Sequence, residues 1–120
     1  MGAGEAGAMR AAFRALAAIF ACASAYHVYA LVSRVDPNSG RHATFAVINA
    51  FVALLMIRRP PGFAIAFALL CGQQLAGHGG DLVRAFGEGR VDWVSLAVVV
   101  LMPFALVLLM IDGRSKRAAP

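Results

Sequence analysis

Residues 91–111 read VDWVSLAVVVLMPFALVLLMI. After Asp92 this stretch carries no charged side chain. A helix needs about 20 consecutive apolar residues to cross the hydrocarbon of a bilayer, and this run supplies them. Pro103 inside it predicts a kink rather than a break, because spanning helices tolerate proline. A run of this length and apolarity is hard to place in a small soluble domain. The rest of the chain points the same way: of 120 residues, 61% are hydrophobic and 14% charged, against roughly 25% charged in ordinary soluble domains. A chain this short is mostly surface when folded. It has too little polar material to cover that surface, so lipid is the expected solvent.

Working backward from residue 91, three more apolar runs appear, at about 11–32, 43–57 and 62–76. The first is long enough to span. The second and third reach span length only by taking in polar outer ends, giving 42–57 and 61–78. The expected fold is therefore an all-α, integral-membrane four-helix antiparallel bundle, up-down-up-down, forming one domain over residues 1–120. Asp36-Pro37-Asn38-Ser39-Gly40 and Arg58-Arg59-Pro60-Pro61-Gly62 are turn sequences. Gly77-His78-Gly79-Gly80 should weaken the end of the third helix, leaving residues 81–92 as the longest connection. Arg10, Arg14 and Ala23-Ser24-Ala25 also fit the outline of an export signal; here the segment is read as a retained first span.

Orientation follows from the basic residues. Four crossings place Arg10, Arg14, Arg58, Arg59, Arg114, Lys116 and Arg117 on one side and Arg34, Arg41, Arg84 and Arg90 on the other. The richer side is expected to be cytoplasmic. Both termini then lie in the cytoplasm, and the membrane is the cell (inner) membrane. Tyr26, Tyr29 and Trp93 fall near the outer boundary, where aromatic belts form. The net charge of +5 is explained by these flanks, so nucleic acid is not an expected partner. The expected partners are the lipid bilayer and other membrane subunits or a second copy of the chain.

The polar residues gather toward the outer end. At 1.5 Å per residue, His27, His42 and His78 sit about 24, 23 and 25 Å above the inner boundary, each on a different helix. Imidazole binds transition metals and haem iron. A site from His27, His42 and His78, with Asp81 as a fourth ligand or outer partner, is one expectation, its cofactor haem or a transition metal. The competing expectation is hydrogen-bond glue between helices. Asn49, Gln73 and Gln74 form a candidate polar pocket on the same two alternatives. Cys22 and Cys71 also fall at similar depth and could form a redox pair, although buried cysteines commonly behave as small apolar residues.

No nucleophile–base pair, carboxylate pair or phosphate loop is visible in the sequence. The leading functional expectation is a small non-enzymatic subunit or accessory factor of a membrane complex. A haem- or metal-handling protein follows. A transporter or channel ranks last, since the inner half of the spans offers only Asn49, Ser24 and cysteines to line a path.

Overall fold

The computed structural model describes residues 2–34 and 39–118. It is all-helical, with four helices: α1 (Ala3–Val32), α2 (Ser39–Arg58), α3 (Phe63–Gly87) and α4 (Trp93–Ala118). Three of them, over Gly4–Val32, Ser39–Arg58 and Trp93–Lys116, are long and apolar enough to cross a membrane. The chain divides into two compact units, Met1–Pro60 and Pro61–Pro120. The first is the α1–α2 pair and the second the α3–α4 pair.

Each helix buries a narrow stripe. On α1 it runs through Phe13, Ala17 and Phe20, and on α2 through His42, Ala46, Val52 and Met56. On α4 it runs through Ser95, Met102, Ala105, Leu109 and Asp112. Steps of three and four residues keep one seam facing a neighbouring helix. Alanines on the stripe let backbones approach closely, which suits helices packed in lipid. Outside the stripes, large apolar side chains are exposed, among them Ile19, Phe51, Ile65, Leu69, Val100 and Phe104.

The first unit is an antiparallel hairpin. Phe13 meets Arg59 at one end, Ser24 meets Ala46 further along, and His27 meets His42 toward the connection. The Ser24 hydroxyl donates to the Ala46 carbonyl at 2.8 Å. The Arg59 guanidinium lies 4.8 Å from the centre of the Phe13 ring, a cation–π distance. Arg59 takes a left-handed backbone, φ 45°, just past the end of α2.

Helix bounds differ from expectation in three places, one of them α4, which runs on to Ala118 rather than stopping near residue 111. The first helix begins at Ala3 rather than near residue 11. Its Ala-rich start has good helix propensity, and the Glu5 carboxylate accepts the Gly2 N–H at 2.7 Å. The third helix does not stop at Gly77–Gly80 but continues to Gly87. Glycine costs a helix only about 1 kcal/mol each, and the stripe resumes at Leu82 and Ala85, both buried. The connection expected over residues 81–92 shrinks to 88–92. The Asp36-Pro37-Asn38 part of the expected first turn lies outside the described residues, while Ser39 and Gly40 already belong to α2.

Helix α3 ends in a glycine cap. Gly89 has φ +71°; the Arg90 N–H donates to the Ala85 carbonyl and the Gly89 N–H to that of Phe86, both at 3.0 Å. This six-to-one and five-to-two pair closes the helix and needs a left-handed residue at position 89. Gly80 is different: it is helical, and a Cβ there would meet nothing within 4 Å. Gly89→Ala should therefore cost about 1 kcal/mol and Gly80→Ala gain about 0.5–1 kcal/mol. Unfolding by a denaturing detergent, followed by far-UV circular dichroism, reads both. Effects of the same sign would contradict this account.

Candidate functional site

The three histidines expected at one depth fall in two separate arrangements, one in each unit. In the first unit, the Nδ1 atoms of His27 and His42 are 2.9 Å apart. His27 is five residues before Val32, the last residue of α1, and His42 is in the first turn of α2. His42 is buried and His27 half-buried. The Phe45 ring stacks on His27 at a centroid distance of 5.5 Å and an interplanar angle of 26°. Tyr26 meets both imidazoles edge-on, at 5.5 and 6.5 Å. Arg41 lies 6.0 Å from the Phe45 ring centre and is the nearby cation. In a neutral pair, one Nδ1 carries the hydrogen and the other offers its lone pair.

The second unit holds a three-residue chain. Asp92 stands immediately before α4 and caps it: its Oδ1 accepts the Ser95 N–H at 3.0 Å. The Ser95 hydroxyl donates to Oδ2 of the same carboxylate at 2.8 Å. His78, on α3, places Nδ1 3.0 Å from that hydroxyl oxygen. A serine has one hydroxyl hydrogen. With that hydrogen given to Asp92, the His78 Nδ1–H is the donor to Ser95. The Nε2 of His78 is then the atom that carries its lone pair.

Aspartate, serine and histidine in contact invite comparison with a hydrolase triad, but the order is wrong. A triad runs carboxylate to imidazole to hydroxyl, so that the imidazole withdraws the serine proton. Here the proton of Ser95 points at the carboxylate and the imidazole donates. This arrangement orients His78 and does not activate Ser95.

Asp92 lies ahead of the apolar part of α4. The Ser95 backbone N–H, and then the Ser95 hydroxyl, hold its carboxyl below the ordinary value of 3.8, because both donors favour the ionised form.

The expected fourth ligand, Asp81, pairs instead with Arg84 on the surface of α3 at 3.5 Å. Among the described residues, no three or more His, Cys, Asp or Glu side chains come together in a group that could hold a metal ion. Gln73 and Gln74 are bonded to each other. Asn49 donates to the carbonyl of Phe45 in its own helix at 2.8 Å, a local bond rather than a bond between helices. Cys22 is exposed and Cys71 buried, both as free thiols. Asp112 is buried and paired with Lys116 at 2.7 Å.

Sequence reasoning did not find Ser95. The signal was present: Asp92-Trp93-Val94-Ser95 ahead of an apolar run is a helix-start pattern, and Ser95 stands seven residues before Met102 on the same stripe.

Compared with known proteins, the chain matches no protein family, no curated protein and no solved structure.

Proposed function

We propose that this chain is a four-crossing protein of the cell (inner) membrane, an antiparallel four-helix bundle with both termini cytoplasmic. It serves as a non-enzymatic subunit or accessory factor of a membrane complex, with a histidine-containing polar layer at its outer end. The observation that carries the proposal is the inside-out pattern of the surface. Phe51, Ile65, Leu69, Val100 and Phe104 are exposed, while Ser24, His27, His42, His78 and Ser95 bond to one another or to backbone. In lipid such a surface is favourable, and polar groups need internal partners.

The third helix is the one whose crossing needs argument. Its 25 residues extend about 37 Å at 1.5 Å per residue, more than the roughly 30 Å of hydrocarbon. Gln73, Gln74 and His78 lower its apolarity, but each has a hydrogen-bond partner, which reduces the cost of placing it in lipid. Charge supports the crossing as well. With four crossings the basic residues divide seven to four. If α3 stayed on one side, Arg84 and Arg90 would join the first face and Arg114, Lys116 and Arg117 would leave it, for a division of six to five. The bias that sets orientation would nearly vanish.

The non-enzymatic reading rests on the proton order of Asp92, Ser95 and His78, which leaves no activated nucleophile in that chain. Reporter fusions at Asn38 and Glu88 are expected to read outside, and a fusion at Pro61 inside. Glu88 and Pro61 reading on the same side would remove the third crossing. For the subunit role, the chain extracted in mild detergent should migrate with a mass well above that of its 12.6 kDa and its bound detergent. A strictly monomeric particle would overturn that role.

A further inference from the structure

We infer that His27 and His42 form a two-imidazole binding site for a divalent transition metal, with Cu(II) favoured. The two Nδ1 atoms are in contact, 2.9 Å apart, with one hydrogen between them. When that hydrogen moves to Nε2 of its own ring, both Nδ1 lone pairs become available to an ion. Two nitrogens bound to one metal at about 2.05 Å each are about 2.9–3.3 Å apart, so the two rings can take one ion with little movement. Imidazole suits transition metals, and Cu(II) heads the affinity order for divalent first-row metals.

The surroundings hold the rings in place. Phe45 stacks on His27, and Tyr26 braces both imidazoles from the edge. Helix–helix contact at Ser24 and Ala46, one turn away, keeps the two helices in register beneath the pair. Ring orientation is therefore set before a metal arrives, which is what a low-coordinate site needs. Two protein ligands leave the remaining corners to water or to a ligand from a partner, so such a site would exchange its ion readily. Arg41, close by over Phe45, opposes the charge of the ion and favours a metal bound with an anionic ligand.

The site differs from the one that depth alone suggests. His78 is committed through Nδ1 to Ser95, and Asp81 to Arg84. The assignment uses His27 and His42 only and does not depend on how many partners the chain has.

The test uses the full, untagged chain in detergent, titrated with Cu(II) and separately with Zn(II). One equivalent of Cu(II) is expected, bound more tightly than Zn(II), with paramagnetic resonance showing two imidazole nitrogens on the copper. His27→Ala and His42→Ala should each weaken binding at least about 10-fold, the loss that removing even an outer partner causes at metal sites. His78→Ala should leave it unchanged. The nitrogen count is read on the unaltered protein, so a variant that fails to fold does not blunt the test. Fewer than two nitrogens, no saturable binding, affinity unchanged in folded His27→Ala and His42→Ala, or an equal loss in His78→Ala would overturn the assignment.

Discussion

Phe13→Ala is expected to destabilise the first unit by about 3 kcal/mol. Phe13 is 2% exposed and sits under the Arg59 guanidinium. In water, removing a buried phenylalanine costs about 3–5 kcal/mol, part of it the lost transfer of apolar surface out of solvent. Lipid is as apolar as a protein interior, so that part is weak in a membrane. The void left behind, the lost dispersion contacts and the lost cation–π contact remain. These place the expected cost at the lower end of the range. Phe51 supplies the control. It is 62% exposed on α2, so Phe51→Ala opens no cavity and should change stability little in detergent. Denaturing-detergent titration followed by circular dichroism measures both. Equal losses at the two positions would mean that the stripe through Phe13 is not the packed one.

Ser95→Ala is expected to cost about 1–2 kcal/mol, because it leaves the half-buried His78 Nδ1–H without its acceptor. Ser95 is 2% exposed, so water has little access to replace the lost partner. Ser95→Thr keeps the hydroxyl and should lose less. The same pair of variants tests the pH behaviour of Asp92. Its carboxyl is held below 3.8 in the folded chain, so the ionised form is the one that folding favours. The resulting stabilisation is present in full above the unfolded value and is lost as pH falls through the folded value. Ser95→Ala removes the hydroxyl bond but keeps the backbone one, so the folded value rises toward 3.8 and the loss of stability in acid becomes shallower. Asp92→Asn keeps a capping side chain and should abolish that acid dependence. A Ser95→Ala protein with an acid limb as steep as the parent would show that the hydroxyl does not act on the carboxylate.

Much of this protein follows from residue order alone. The apolar runs at 91–111 and 11–32 both supply helices long and apolar enough to cross a membrane. Gly89 after Phe86-Gly87-Glu88 and Asp92 before Trp93 are local signals, and they end α3 and begin α4 where their chemistry requires. The glycines at 77, 79 and 80 misled, because a backbone ladder continues through residues that only weaken it, provided that apolar side chains further on have a seam to fill.

The partners of the histidines were a different matter. Counting residues gives depth, since the rise per residue is constant. It does not give direction around the helix or the register of one helix against the next. Those depend on how Phe13, Ala17 and Phe20 pack, and on the bond between Ser24 and Ala46. Only that packing turns the Nδ1 of His27 toward the Nδ1 of His42, and only the α3–α4 contact gives His78 to Ser95 rather than to Asp81. Sequence by itself determined four helices and their apolar character, because these rest on local hydrogen bonding and on composition, but not where α1 begins or where α3 and α4 end. Tertiary structure decided which polar atoms meet, because a pair of side chains 15 residues apart comes within hydrogen-bond reach only when two helices lock in one rotation and one register.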